Sequence, residues 1–100
     1  MNMMNNTVNV AIQVLPESTK KGKYELVDEA IKVIAASGFN YKVCPFETVV
    51  ECTLDEALAL VEEIHIACGL AGAEKMLTYL KIQVDFNSSV AIKDKMEKYE

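Results

Sequence analysis

Asn40-Tyr-Lys-Val-Cys-Pro-Phe-Glu-Thr-Val-Val-Glu-Cys52 is the stretch whose reading decides the fold. Tyr41–Cys44 and Thr48–Cys52 read as two short strands, with Pro45–Glu47 as the connection, so the stretch predicts a β-hairpin. Glu51 sits inside the second strand. Glutamate is a poor strand former and costly to bury, so this carboxylate is either held in solvent or aimed at something.

Upstream of the hairpin, Val8 to Leu15 alternates with period two: Val8, Val10, Ile12 and Val14 on one side, Asn9, Ala11, Gln13 and Leu15 on the other. That is a half-buried strand, expected to end at Pro16. After a polar loop, Tyr24 to Ser37 switches to helical spacing, with Leu26, Ala30, Ile31 and Ile34 as its stripe and Gly38 just past its end. Downstream, Thr53-Leu-Asp-Glu56 is a capping box. It opens a second helix whose apolar face is read as Ala57, Leu58, Val61, Ile64 and Cys68, with Gly69 and Gly72 bracketing its end. Lys75 to Asp85 predicts a fourth strand, with Met76, Leu80, Ile82 and Val84 on one side and Leu77, Tyr79, Lys81 and Gln83 on the other. Asn87 to Ser89 can cap a short closing helix, Val90 to Tyr99, anchored by Ile92 and Met96.

The order strand–helix–strand–strand–helix–strand is the split βαβ plan: an α+β, ferredoxin-like domain with a four-stranded antiparallel sheet. Right-handed crossovers put both helices on one sheet face. The strand order expected is fourth, first, third, second.

One hundred residues make one domain, expected to span 7–100 after a frayed N-terminus at 1–6. With 51% apolar residues the chain can build a core without disulfides. It carries a net charge of −5 and no arginine. Arginine is the preferred residue for phosphate forks and base edges, so nucleic-acid binding is excluded as the working hypothesis. Cys44, Cys52 and Cys68 are irregularly spaced and include no CxxC, which reads as reduced thiols in a cytoplasmic protein. The most apolar segment is broken by Glu62, Glu63 and His65, so no membrane span is expected.

The sheet face away from the helices should collect Ala11, Gln13, Lys42, Cys44, Val49, Glu51, Leu77, Tyr79, Lys81 and Gln83. A face meant for water alone would be more uniformly polar. A face meant for dry packing would not hold Gln13, Glu51 and Lys81 together. Two readings stand: a second sheet packs here in an oligomer and leaves a lined pocket, or the face is solvated and carries a Glu–Lys cross-strand pair. Glu51, with Gln13 or Tyr79 near it, could accept hydrogen bonds from a small ring bearing amino groups. The alternative for Glu51 is a surface carboxylate.

Other candidates are weaker. His65, the only histidine, has Cys68 three residues on, and two ligands make no closed metal site. The cysteines need a paired base to act as nucleophiles, and small buried side chains are the simpler reading. No phosphate-binding glycine loop is present, and Lys20, Lys21 and Lys23 read as a solvated turn. With no catalytic set in view, binding is favoured over turnover. An enzyme using Glu51 as general base and Cys44 as nucleophile is the rival. A structural oligomer with no ligand is the third possibility.

Val10-Ala-Ile-Gln-Val-Leu-Pro16, Tyr41-Lys-Val-Cys-Pro45, Thr48-Val-Val-Glu51 and a closing Ile92-Lys-Asp-Lys-Met96 with Lys98-Tyr99 resemble the small thiamine-binding proteins of the YkoF-like superfamily. The resemblance runs from about Thr7 to the end of the chain. It implies a ferredoxin-like fold and homo-oligomers, usually tetramers, built by sheet packing. It also implies binding of thiamine or its hydroxymethylpyrimidine moiety, with no other cofactor and no established catalysis. Thr48 and Glu51 match the family's Thr-x-x-Glu strand, and Pro45 the proline before it. Phe46, Glu47 and Cys52 depart from the family pattern and flank the pocket the resemblance implies. On this reading Glu51 holds the aminopyrimidine edge, Thr48 and Gln13 add hydrogen bonds, and Tyr79 or Phe46 stacks on the ring. Cys44, Glu47 and Lys81 complete the lining. A thiazolium cation suits the acidic balance of the chain.

Overall fold

The computed structural model describes residues 6–89. Along them the chain runs β1 (Thr7–Glu17), α1 (Lys23–Ala36), β2 (Asn40–Val43), β3 (Thr48–Thr53), α2 (Leu54–Ala71) and β4 (Lys75–Gln83). The strands form one antiparallel sheet in the order β2-β3-β1-β4. This is the ferredoxin-like architecture that the order of elements predicts. The expected closing helix, and residues 1–5 of the expected frayed N-terminus, lie outside the described residues.

The alternation in β1 sets the two sheet faces. Val8, Val10 and Ile12 pair with Cys52, Val50 and Thr48 of β3, and all six are buried. Leu26, Ala30 and Ile34 of α1 and Ala57, Leu60, Ile64 and Cys68 of α2 close over this side. Burying each large aliphatic contributes about 1.5–3 kcal/mol, so this single layer of contacts holds the domain. Two details of α2 differ from the sequence reading. Leu60 is buried, while Leu58 is exposed. The inner stripe runs 57–60–64–68, and Leu58 is one helical step of about 100° off it.

Both halves of the capping box form. The Thr53 hydroxyl accepts from the Glu56 backbone N–H at 3.2 Å, and the Glu56 carboxylate accepts from the Thr53 N–H at 2.9 Å. At the other end Gly72 adopts φ 118°, a left-handed cap that lets its N–H reach the Cys68 and Gly69 carbonyls.

Pro16 does not end β1. It pairs with Met76, and the strand continues to Glu17. The ladder with β3 covers only Thr7 to Ile12, so residues beyond it have a strand neighbour on one side alone. The Glu17 carbonyl accepts from Glu74 N–H at 2.8 Å on the β4 side. Backbone groups alternate along a strand, so the donor that Pro16 lacks belongs to the side where β3 has stopped. A proline is tolerated there because no ladder bond is lost.

Candidate functional site

The register distributes the candidate residues over two faces. On the open face, away from the helices, Asn40, Glu51, Asn9 and Gln83 stand in one line across all four strands. The next line holds Lys42, Val49, Ala11 and Lys81. Gln13 faces Tyr79 one step further on. Most of the mixed face inferred from alternation is therefore assembled as expected; Cys44 is the exception, because β2 ends at Val43 and Cys44 belongs to the hairpin turn, bordering the cavity on the α1 side.

A depression of about 290 Å³ lies over Ala11, lined by Gln13, Glu47, Tyr79, Leu80 and Lys81. Ala11 makes the floor low because it is the smallest side chain in its line. One wall is an ion pair. Lys81 Nζ lies 2.7 Å from Glu47 Oε1, so the pair reaches over β1 from the hairpin tip to β4. Lys81 is largely exposed, and such a pair adds little stability; its effect is to fix two long side chains at the rim. The Tyr79 ring, about half exposed, forms another part of the rim. Glu51 does not line this depression. It is half-buried one line away, where its Oε2 accepts from Asn40 Nδ2 at 2.9 Å.

Thr48, Phe46 and Cys44 belong elsewhere. Thr48 is buried on the helix-covered side and pairs with Ile12 and Val43. With Cys44, Pro45 and Phe46 it borders a second cavity, of about 250 Å³, between the hairpin and α1. Ile12, Val14, Ile31 and Ile34 give this cavity apolar walls, and Tyr24 and Asp28 also line it. Gln13 and Glu47 border both cavities. The hairpin turn itself is closed by Cys44 N–H donating to the Glu47 carbonyl at 2.9 Å. The eight residues singled out in the sequence thus fall into two groups separated by the sheet, sharing Gln13 and Glu47.

Asn9 was not singled out, and the structure makes it the most unusual polar side chain on the open face. It is 3% exposed, and neither its Oδ1 nor its Nδ2 finds a hydrogen-bond partner among the described residues. An asparagine at an alternating strand position reads as a surface residue. Its place directly opposite Glu51 becomes visible only once the β1–β3 register is known.

The remaining reactive groups are held in structural roles. His65 Nδ1 donates to the Val61 carbonyl at 2.7 Å, and Nε2 lies 2.8 Å from Thr78 Oγ1, clasping α2 to β4. Burial, helped by the Glu56 carboxylate, pushes the Cys52 thiol up to about 11. Burial, then Glu29, raises Cys68, whose Sγ donates to the Leu26 carbonyl. Neither thiol supplies a thiolate near neutral pH. Among the described residues no three metal-ligating side chains converge, and no helix is long and apolar enough to cross a membrane.

The chain is thus a small α+β domain of ferredoxin-like plan with a cleft on the open face of its sheet. Residues 10–100 match the sequence profile of the thiamine-binding protein family, and the chain belongs to that family. It is 32% identical to a UPF0045 protein of Clostridium perfringens over 94 residues, covering 94% of this chain and 98% of that one. Among solved structures it resembles a Bacillus cereus protein known as a domain of unknown function, DUF77. That match has a TM-score of 0.92 and 37% identity over 100% of this chain and 96% of the other. It also resembles a Thermotoga maritima protein provisionally assigned to thiamine biosynthesis or salvage. Here the TM-score is 0.85, with 29% identity over 94% of this chain and 99% of the other.

Proposed function

We propose that this protein is a cytoplasmic binding protein for thiamine or a related pyrimidine metabolite, serving salvage, transport support or sensing without turnover. The observation that carries this reading is the depression over Ala11. It combines an aromatic rim at Tyr79, amide and charged groups at Gln13, Glu47 and Lys81, and the Glu51 carboxylate one line away. A flat heterocycle needs apolar walls and a few convergent polar groups. The open face supplies one wall. In this reading a second copy packs its own sheet against that face, within a homotetramer, and supplies the other. Family membership and the Thermotoga relative's provisional role support the choice of ligand.

The enzyme alternative is disfavoured by distance. Cys44 lies past the Val43–Thr48 pair at the hairpin tip, roughly 13 Å along the strands from Glu51 at about 3.3 Å per residue. A general base and a nucleophile need to meet within hydrogen-bond reach. The cavity behind the hairpin favours a second location for the same ligand, because its walls are mostly apolar and Thr48 and Phe46 both line it.

Calorimetric titration with thiamine and, separately, hydroxymethylpyrimidine tests the reading. Saturable binding, weakened tenfold or more in Glu51→Gln, is expected, with sedimentation showing an oligomer. Absence of heat from both ligands in a folded oligomer would refute the function. Full affinity in Glu51→Gln would refute the role of the open face.

A further inference from the structure

We infer that the outer edge of β4 is a contact between two copies of this chain, which pair β4 with β4 antiparallel about a two-fold axis at Tyr79. Among the described residues β4 has one strand neighbour, β1, and its other side carries none. A long, flat, apolar edge pairs readily with another chain, and folded proteins blunt such edges with short strands, prolines, bulges or charges. The opposite edge is blunted in this way: β2 is only four residues long, and the chain turns at Pro45 just beyond it. β4 is nine residues long, contains no proline, and keeps an unbroken register with β1 from Lys75 to Gln83. Its lysines guard it poorly. Lys75 stands at the end, and Lys81 is drawn inward over β1 to Glu47. Leu80 and Ile82 are 37% and 39% exposed although they lie on the helix side, and Leu77 and Tyr79 on the open face are about half exposed. Apolar side chains on both faces are the pattern of a strand covered on both faces, not of a solvated edge.

A second copy is the occupant that this strand's own pattern fits. With Tyr79 opposite the partner's Tyr79, the antiparallel register sets Met76 against the partner's Ile82, an apolar pair on the helix side. Lys75 then faces the partner's Gln83, and Lys81 faces the partner's Leu77. An axis one residue back, at Thr78, would set Lys75 against the partner's Lys81, and like charges directly opposite are destabilising. The pairing also reaches the depression over Ala11, which Tyr79 and Lys81 line from β4. The partner's Tyr79 joins this chain's Tyr79 at that rim, so the two depressions share one aromatic wall. The inference rests on the strand edge and not on the choice of ligand. Packing through the open sheet faces, as proposed above, is one isologous contact; pairing through β4 is a second, and a tetramer with two kinds of two-fold contact is closed.

Hydrogen exchange on the unaltered protein separates edge pairing from packing through the sheet face alone. Amides alternate in direction along a strand, so every second amide of β4 points away from β1. Both sets should be protected in the assembled protein. Sedimentation equilibrium then tests the register. Met76→Lys and Ile82→Glu, one at a time, should each weaken the β4 contact tenfold or more. Both substitutions in one chain should return it to within about threefold, because each new charge then faces its opposite. In a single variant that sediments as a smaller species, the outward amides should exchange at least tenfold faster. An unprotected outward set, single variants that assemble unchanged, or a double variant without recovery overturns the inference and leaves packing through the sheet face standing. Outward amides still protected in the smaller species assign the edge to another part of the chain, which also overturns it. A monomeric unaltered protein overturns both contacts. If the variants fold poorly, exchange of the outward amides in the unaltered protein decides alone.

Discussion

Thr48 and Glu51, three residues apart on β3, face opposite sides of the sheet. Thr48 lies under the helices opposite Ile12, and Glu51 lies on the open face opposite Asn9. Period two along a strand requires this separation. The two residues cannot serve one ring from the same face, so their substitutions distinguish the two cavities. With the ligand on the open face, Thr48→Val keeps affinity within about twofold of the unaltered protein, while Glu51→Gln loses tenfold or more. The reverse pattern in titrations would move the ligand to the cavity behind the hairpin.

Two glycines of α2 should respond in opposite directions to alanine. Gly72 has φ 118°, and an added Cβ would come within 3.0 Å of Lys21 Cγ. Gly72→Ala is expected to destabilise by about 1–2 kcal/mol, through the left-handed backbone and the displaced lysine. Gly69 lies within the helix and an added Cβ would meet nothing within 4 Å. Gly69→Ala is expected to stabilise by about 0.5–1 kcal/mol. Urea denaturation of both variants checks the pair.

The buried thiols give stability an alkaline limit. Cys52 ionises at about 9.0 when unfolded and is pushed up to about 11 in the fold, so the folded state holds its proton more tightly. That contribution is complete below pH 9 and is lost as pH rises from about 9 towards 11. Cys68 acts in the same direction. Denaturation midpoints taken across this range should fall less steeply in Cys52→Ala than in the unaltered protein.

Glu74 gives the opposite, acidic dependence. Its Oε1 accepts from the Thr19 hydroxyl and the Thr19 N–H, each at 2.6 Å, and from the Ser18 hydroxyl at 3.3 Å. The Thr19 bonds hold its carboxyl below the ordinary 4.5. This contribution is present above pH 4.5 and is lost as pH falls through the lowered folded value. Glu74→Gln should flatten that acid limb. Glu74→Ala should speed hydrogen exchange at the Thr19 amide while leaving amides of the core strands unchanged.

The elements and their order were legible because each has a strong local signal: alternation in β1, the capping box before α2, and the hairpin between two helical stripes. The boundaries that moved depended on neighbours. Pro16 stays in a strand because β3 stops short of it, a fact that no residue near Pro16 encodes. Leu58 and Leu60 are equally apolar, and only the docking of α2 decides which is buried. The membership of the open face followed from parity along each strand. That same parity already separated Thr48 from Glu51. Asn9 could not be found from composition or spacing. An asparagine between valines looks solvated until a register sets it beside a carboxylate and the fold closes over it.

Pro16 also bears on how copies of this chain can meet. Beyond Ile12 one side of β1 has no strand beside it, and an exposed strand side of this kind invites another chain to zip on and aggregate. An incoming strand would find a position with no hydrogen to give at Pro16, the fourth of the five residues Gln13 to Glu17 that β1 has beyond Ile12. Lateral growth into fibrils is discouraged at that point. Edge-to-edge pairing through this part of β1 is thereby disfavoured.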